Sequence, residues 1–462
     1  MRTSYLLILS AAVLALGACT STASREREAF DNARWQRMAE SLEHQPESNG
    51  PAAEQPESRL SGELKLEELI RLSELHSPRL AAAYEKWRGS VRGITAATAL
   101  PDATFTYTEF IRSIETRLGP IERRFMLQQM VPNPGKLVAR EEQAASSASA
   151  MRSNFEATRL GLREALVVAF VDLQALDERL RILDRLVETL TSIELVVEAR
   201  VTASLAQQSA LLRVQVELER LRSERTSLEQ RRPALAAALS AIVGAKIADN
   251  ASAPPLAREA APLPEDARLA ALALDHPSVQ EQFARAAIAG AKVTETGWMW
   301  VPDLMFGFEY QMVGIPDIPA SMRPDEYGED AWAFTVGLTI PWQVHVNLAR
   351  GDMARAEESA ARFMVEQQRL DLQAKLAGQQ YAYRDAARLI ELYDETVLPK
   401  ARQTLELVQN DYTADRASLT DVLDAERALL ASELSLINAR ADLLKARARL
   451  ESIVARDLET IN

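Results

Sequence analysis

The sequence predicts a mainly α-helical protein with a small β part, in which a unit of helix, strand, strand and long helix occurs twice. Three observations support this fold class. The 462 residues are rich in Ala, Leu, Glu and Arg but contain only 17 Gly and 6% aromatic residues, a composition typical of long helices. Apolar residues recur at helical spacing over long stretches, and shorter stretches alternate between apolar and polar residues. We therefore expect long helices joined to two β-hairpins.

The amino terminus predicts an export signal followed by a lipid anchor. Arg2 precedes an apolar run too short for a membrane-spanning helix, which needs about 20 residues. The segment "LGAC" ending at Cys19 resembles the lipobox of bacterial lipoproteins. This predicts a signal peptide at 1–18, a lipidated Cys19 and, from its Glu, Gln, Pro and Ser content, a flexible leader over 19–62. Thr20 favours the outer membrane by the same resemblance, and an ordinary cleaved signal is the alternative.

The remaining chain contains an internal repeat. "LEELIRLSELHSPRLAAA" parallels "EDARLAALALDHPSVQEQ", and in each a proline interrupts a helical pattern. Both repeats then continue with a strand that opens on Pro-Asp. The predicted boundaries are a first repeat at 63–243 with a hairpin at about 102–131, a linker at 244–262, a second repeat at 263–457 with a hairpin at about 303–340, and a tail at 458–462.

The strand predictions rest on alternation with a period of two. In the second hairpin one face carries large apolar residues: Leu304, Phe306, Phe308, Tyr310, Met312, Trp332, Phe334, Val336, Leu338 and Ile340. The first hairpin shows a weaker version of this pattern, with Phe105, Tyr107, Phe125 and Leu127. Each strand is expected to have about 9 to 10 residues, the length with which a tilted strand crosses a bilayer. A small soluble sheet packed under helices is the alternative.

The helices are predicted to be unusually long. After Pro134 and Gly135 the helical pattern continues to near Arg200, and roughly 60 residues correspond to about 90 Å. The seam within it is Ala169, Leu173, Leu176, Leu180, Leu183, Val187 and Leu190. The last helix carries two adjacent seams, namely Leu430, Leu434, Ile437, Ala441, Leu444 and Ala448, and Leu429, Leu436, Leu443 and Leu450. Two seams predict a neighbouring helix on each side.

Four strands cannot close a barrel by themselves. Edge N–H and C=O groups left unpaired in lipid cost several kcal/mol each, so we expect copies of the chain to share one barrel. Bacterial single-chain barrels have at least about eight strands, which is compatible with a dimer or a trimer.

Two further segments carry a family resemblance. "QQMVPNPGKL" (128–137) and "LTIPWQVHVNLAR" (338–350) each lead from a strand through a proline into a long helix. Together with the order of elements and the lipobox, they make residues 63 to 457 resemble the TolC family of outer-membrane channel proteins. That resemblance implies a homotrimer with a twelve-stranded β-barrel in the outer membrane, continued by a long α-helical barrel across the periplasm. Pro132 and Pro341 would then mark the transition from barrel to tunnel.

The resemblance also implies a site at the far end of the helices. "NDYTADRASLTDVLDAERALL" (410–430) is similar to the family's turn at the periplasmic tip. By that similarity Asp421, Asp424 and Tyr412 belong to the closed aperture, and Leu205 and Leu419 are tip residues that meet an adaptor. A solvated helix face is the alternative for the two aspartates. In the equivalent turn of the first repeat, Ala210 and Arg213 replace them.

The expected function is a passive outer-membrane channel of a tripartite efflux pump. The implied partners are outer-membrane lipid, a periplasmic adaptor and an inner-membrane pump of the RND type. The alternatives are the exit duct of a type I secretion system and a lipid-anchored periplasmic coiled-coil protein without a pore. A net charge of −13 without a basic cluster argues against nucleic acid as a partner. The four histidines are scattered, so we expect no catalytic site, metal or cofactor.

Overall fold

The computed structural model describes residues 21–32, 60–117, 119–257, 262–315, 319, 326, 328–414 and 416–460. The predicted signal peptide and Cys19 lie outside these residues. Ten helices and four strands are labelled here in chain order: α1 Thr22–Asp31, α2 Leu66–His76, α3 Pro78–Ala97, β1 Thr104–Thr116, β2 Gly119–Val131, α4 Pro134–Thr202, α5 Gln208–Val243, α6 Asp266–Leu274, α7 Pro277–Gly297, β3 Leu304–Val313, β4 Ala331–Leu338, α8 Val344–Glu391, α9 Leu398–Thr413 and α10 Leu419–Val454. A π-helical turn, Leu392–Val397, connects α8 to α9. The order helix, strand, strand and long helix therefore occurs twice, as predicted.

The chain forms two compact units that cut across the two repeats. The first unit contains Met1–Arg37, Lys86–Arg152 and Glu281–Glu366, and the second contains Met38–Glu85, Ser153–Gln280 and Gln367–Asn462. Each unit thus takes segments from both halves of the sequence. The two repeats follow one another along the sequence, whereas each compact unit is formed by equivalent parts of both repeats.

The first unit contains a four-stranded antiparallel sheet in the order β1-β2-β3-β4. The two predicted hairpins pair with each other through β2 and β3, where Phe125 lies opposite Tyr310. In the first hairpin both strands have 13 residues, more than expected, and the ladder shifts register between Glu109 and Ile114. The strands of the second hairpin have 10 and 8 residues. The sequence thus predicted the strands correctly but not their lengths.

Part of the predicted flexible leader is helical, which corrects that expectation. In α1 the side chain of Phe30 is buried, and its ring meets the ring of Trp87 edge to face at a centroid distance of 5.1 Å. The carboxylate of Glu26 is also buried and lies 3.3 Å from the guanidinium of Arg152. The polar composition of the leader concealed this pattern because only a few side chains of α1 are apolar.

The second unit is held together by three apolar clusters, and α10 contributes to two of them. One seam of α10 packs with α4 and α5 through Leu430, Leu434, Ile437, Ala441 and Leu444. The other packs with α6, α8 and α9 through Leu429, Leu436, Leu443 and Leu450. The predicted neighbours on two sides of the last helix are therefore confirmed.

The helix α4 has 69 residues and is about 100 Å long. The leucines of its predicted seam are buried, whereas Ala169 and Val187 are partly buried, and the seam divides between two clusters. Leu173, Leu176 and Leu180 pack with the carboxyl-terminal half of α5 and with α2. Leu183 and Leu190 pack with the amino-terminal half of α5 and with α10. A single heptad pattern therefore meets different partners along its length.

Among the residues that the structure describes, no helix is both long enough and apolar enough to cross a membrane.

Candidate functional site

One face of the sheet is apolar across all four strands. Tyr107, Phe125, Tyr310 and Trp332 lie opposite one another on successive strands and form one row of this face. The neighbouring row consists of Phe105, Leu127, Phe308 and Phe334. Much of this face is uncovered within the chain, since Phe334 is 64% exposed and Trp332 is 73% exposed. An apolar surface of this extent is typical of contact with lipid or with another protein.

The opposite face of the sheet consists mainly of small or polar residues, together with Met126, Met130 and Met305. The row of residues across the four strands is Thr104, Gln128, Gly307 and Thr335. On the same face the guanidinium of Arg124 lies 3.0 Å from the carboxylate of Glu309 on the neighbouring strand. The two faces therefore differ in chemistry as the alternation predicted, and one of them is suited to line a water-filled space.

The contacts at the junction between β2 and α4 account for the residue types in the "PNPGK" segment. β2 ends at Val131, and Pro132 follows where no further ladder hydrogen bond is needed. The backbone N–H of Asn133 donates to Asp303 Oδ1 at 2.9 Å, and Lys136 Nζ lies 2.8 Å from the same carboxylate. Asp303 belongs to the Pro-Asp pair that precedes β3. The two repeats are thus joined at this point by a charged contact between Lys136 and Asp303.

The glycine of the same segment allows a close approach of an indole ring. A Cβ atom added to Gly135 would lie 2.1 Å from Cδ2 of Trp298. Carbon atoms without a bond between them do not approach so closely, so no other residue fits here unless the ring moves. Pro341 follows β4 at the corresponding place of the second repeat, and α8 begins at Val344. Both prolines therefore lie between a strand and a long helix, as predicted.

The second unit contains the two predicted helical turns, and they lie beside each other. Arg213 Nη1 in α5 donates to Thr420 Oγ1 in α10 at 2.6 Å. The guanidinium carbon of Arg200, at the end of α4, lies 5.2 Å from the centre of the Tyr412 ring in α9. This distance is that of a cation–π contact. We refer to residues 197–220 and 409–430 as the helical tip.

The two predicted aperture aspartates have local partners. Asp421 is the third residue of α10 and forms a capping box with Ser418, whose backbone N–H donates to Asp421 Oδ2 at 2.8 Å. The hydrogen bond from the Ser418 hydroxyl to the same oxygen, at 2.7 Å, and then this backbone hydrogen bond lower the pKa of Asp421. Asp424 is exposed and accepts a hydrogen bond from Arg427 Nη1 at 3.0 Å. Both carboxylates lie at the surface of the same helix, and Asp421 also stabilises the start of that helix.

The two predicted adaptor contacts differ in exposure. Leu205 lies in the turn between α4 and α5 and is 71% exposed. Leu419 begins α10 but is only 7% exposed, because it packs into the cluster that also contains Leu423 and Val214. The side chain of Leu419 is therefore buried within this chain, and its role as an adaptor contact stays a prediction. The turn geometry directs the first residue of α10 toward the core.

Sequence reasoning missed a buried carboxylate of the helical tip, Glu217. Its side chain lies 2.8 Å from Arg427 Nη2 of α10 and 2.7 Å from Arg220 Nη2 of its own helix. The hydrogen bond from Arg427 is the main reason why the pKa of Glu217 falls to about 2. Arg427 contacts both Glu217 and Asp424 and so connects α5 to the aspartate face of α10.

A signal for Glu217 was present in the sequence. Val214, Leu218 and Leu221 form one apolar face of α5, and Glu217 falls among them at helical spacing. A lone carboxylate on an apolar face predicts a buried ion pair. The identity of its partner could not be predicted, because Arg427 is 210 residues away in the chain.

A second buried carboxylate of the helical tip is that of Glu426 in α10. Burial raises its pKa, and the nearby carboxylate of Glu433 raises it further. Gln409 Nε2 of α9 donates to Glu426 Oε1 at 3.3 Å, which partly offsets this effect. The tip therefore contains one carboxylate whose pKa is lowered, Glu217, and one whose pKa is raised, Glu426.

One histidine, His276, has a structural role that its hydrogen bonds define. His276 precedes α7, and its Nδ1 accepts a hydrogen bond from the backbone N–H of Ser278 at 3.1 Å. This contact caps the amino-terminal end of α7. Across the described residues, no group of three or more His, Cys, Asp or Glu side chains is arranged to hold a metal ion.

Comparisons with known proteins agree with this arrangement. Residues 269–456 match the family OEP, outer membrane efflux protein. A search of curated proteins finds no match to the sequence. Among solved structures, the chain is similar to the outer-membrane channel OprN, with a TM-score of 0.71 and 16% identity over 86% of this chain and 93% of that chain.

Two further solved structures share the fold. The outer-membrane protein VceC from Vibrio cholerae has a TM-score of 0.71 and 18% identity over 85% of this chain and 96% of its own. The CmeC outer-membrane channel of Campylobacter jejuni has a TM-score of 0.70 and 14% identity over 84% of this chain and 85% of its own. Residues 269–456 therefore match the outer membrane efflux protein family, and the chain has the fold of these outer-membrane channels, in agreement with the resemblance of its sequence to the TolC family.

Proposed function

We propose that this protein is a passive outer-membrane channel, the outer membrane factor of a tripartite efflux pump. The four-stranded sheet carries the proposal. Its apolar face is exposed, and among the described residues β1 and β4 each pair with one strand only. An edge strand in lipid leaves backbone groups unpaired at several kcal/mol each. Copies of the chain relieve this cost when β1 of one copy pairs with β4 of the next.

Three copies would form a closed barrel of twelve strands. In such a homotrimer the apolar face of the sheet contacts lipid, and the face with Gln128 and Thr335 lines the pore. Lipidation of Cys19 would add an anchor in the outer membrane. The similarity of the fold to OprN, VceC and CmeC, which are described as outer-membrane proteins or channels, supports this placement.

The helical tip forms the entrance in this proposal. Copies of Asp421 and Asp424 from three chains would form acidic rings that favour cations over anions. Tyr412 lies near this entrance, and Leu205 is the exposed apolar residue that a periplasmic adaptor would contact. An inner-membrane pump, of the RND type, would supply the energy for transport. A type I secretion system remains the alternative assembly for the same duct.

The shared barrel is tested by disulfide cross-linking. Thr106→Cys on β1 and Ala333→Cys on β4 place thiols on the two outer strands, and neighbouring positions are scanned because the register between copies has to be found. We expect covalent trimers from membranes of cells that produce the double variants, and monomers from each single variant. Only monomers at every register, together with release of the protein from membranes by salt, would favour the coiled-coil protein without a pore.

The pore is tested by conductance in planar bilayers. We expect discrete channels from the purified full-length protein, and a smaller preference for cations in Asp424→Ala. The control Asp385→Ala removes a partly exposed carboxylate of α8 that pairs with Arg388 on its own helix. A protein that inserts into bilayers but never conducts would contradict the proposed function. Co-purification with an adaptor and a proton-driven or an ATP-driven pump distinguishes efflux from secretion.

A further inference from the structure

A polar cavity lies in the first unit where β4 leads into α8. Its volume is about 340 Å³. The residues of its wall that matter here are Lys136, Arg140, Glu295, Trp342, Asn347 and Arg350. A volume at the lower end of the range for small-molecule sites is suited to a headgroup rather than to a whole lipid.

The cavity carries a surplus of positive charge. Lys136 lies 2.8 Å from the carboxylate of Asp303, and Arg140 lies 2.8 Å from that of Glu295. Arg350 has no carboxylate partner among the residues that the structure describes. Three cations therefore face two carboxylates, and one positive charge is left uncompensated. A phosphodiester carries one negative charge and would compensate it.

A second feature of the cavity also indicates a ligand. Asn347 is only 8% exposed, and its side-chain amide has no hydrogen-bond partner within the described part of the chain. Since this residue lines the cavity, its amide is available to a molecule bound there.

The surroundings of the cavity are those of a membrane interface. Ile340 lines the cavity and is 73% exposed, and its position continues the apolar alternation of β4. Trp342 also lines the cavity and is 79% exposed. Trp side chains are enriched at the level of lipid headgroups, and acyl chains could follow the apolar face of the sheet away from the cavity.

We propose that this cavity binds the phosphodiester of a phospholipid. Arg350 donates to the phosphate oxygens, which suit the two parallel N–H groups of a guanidinium, and the Asn347 amide donates a further hydrogen bond. The acyl chains lie along the exposed face of β4. The proposal rests on the proposed function, because it requires the sheet to lie in a membrane. It adds a defined lipid site at the point where each chain leaves the bilayer.

Native mass spectrometry of the detergent-solubilised full-length protein tests this site. The probe is phosphatidylglycerol, titrated against wild type, Arg350→Gln, Arg350→Lys and Asn347→Leu. We expect Arg350→Gln to weaken binding about tenfold, corresponding to about 1.4 kcal/mol, and Asn347→Leu to weaken it about fivefold. Arg350→Lys keeps the charge without the planar fork and should lie between wild type and Arg350→Gln.

The matched control is Arg355→Gln. This arginine lies further along α8, is exposed and pairs with Asp352 at 3.3 Å. It should leave lipid binding unchanged. Equal affinity in Arg350→Gln, Arg355→Gln and wild type would overturn the site. Circular dichroism confirms that each variant is folded, and the intermediate behaviour of Arg350→Lys separates loss of a contact from loss of structure.

Two further measurements distinguish a lipid site from a site for soluble phosphates, and failure of the lipid site from failure of the channel. Binding of inorganic phosphate or glycerol 3-phosphate as tightly as the lipid would show a site for soluble phosphates and contradict the lipid assignment. Liposome flotation and conductance are measured on the same samples. If the wild type inserts and conducts but Arg350→Gln retains lipid normally, this inference fails and the channel stands. If the wild type neither inserts nor conducts, the channel itself fails, and the lipid site fails with it.

Discussion

Removal of the Arg427 guanidinium should loosen the helical tip. In wild type this group lies 2.8 Å from the buried carboxylate of Glu217 and 3.0 Å from Asp424. The variant Arg427→Met keeps much of the aliphatic volume but removes the charge. Glu217 then retains only Arg220, on its own helix, as a cationic partner. The connection between α5 and α10 at this level is therefore lost.

The size of the effect follows from the titration of Glu217. Its pKa falls from an ordinary value of 4.5 to about 2. A shift of this size corresponds to about 3 kcal/mol of stability at neutral pH. The guanidinium groups of Arg220 and Arg427 are 50% and 52% exposed, so water screens part of this energy. We expect Arg427→Met to cost about 1–2 kcal/mol locally, which increases the open fraction of the tip about 5- to 30-fold.

Hydrogen exchange of the amides of α5 and α10, followed by mass spectrometry, measures this opening. Exchange in both helices should accelerate in Arg427→Met but not in Arg416→Met, since Arg416 pairs with the more exposed Asp411 at 2.9 Å. Equal exchange in both variants would refute the reasoning.

The pH dependence supplies an independent check of the same pair. Because the folded-state pKa of Glu217 is depressed, its contribution is complete above about 4.5 and is lost as the pH falls toward about 2. The thermal midpoint of wild type should therefore approach that of Glu217→Gln over this interval. Two parallel curves would contradict the assignment of this pKa to the ion pair.

Four other substitutions test contacts described above. Leu419→Ala should destabilise the tip by about 2–5 kcal/mol in thermal unfolding because its side chain is buried. Leu205→Ala should change stability by less than about 0.5 kcal/mol and instead weaken adaptor binding in a pull-down. If Leu205→Ala were the more destabilising variant and Leu419→Ala the one that weakens adaptor binding, the burial of these two side chains would be misassigned. Gly135→Ala should displace the indole of Trp298 and alter near-ultraviolet circular dichroism, and an unchanged spectrum would mean that the ring is not packed on this glycine. Phe30→Ala should release α1 at a local cost of about 3–5 kcal/mol and expose the amino-terminal segment to trypsin; digestion at the wild-type rate would argue against a docked helix.

The sequence predicted part of the candidate site and missed the rest for identifiable reasons. Asp421, Asp424 and Tyr412 were found through the similarity of one segment to a family, and their roles in an aperture stay predictions. Glu217 was missed although its position on an apolar face was visible. Its contact with Arg427 joins residues far apart in the chain, and spacing along one helix carries no information about such a contact.

By itself the sequence determined the local structure of this protein. Alternation with a period of two predicted the strands, and heptad spacing predicted the seams of α4 and α10. The prolines after β2 and β4 marked the changes from strand to helix. The periodic patterns depend only on which neighbouring side chains share a face of one element. Only the tertiary structure decided that Leu419 is buried, that α1 packs through Phe30, and that Asn347 and Arg350 line one cavity. These outcomes depend on how distant segments pack, and the free energy of such packing is a property of both partners rather than of either segment alone.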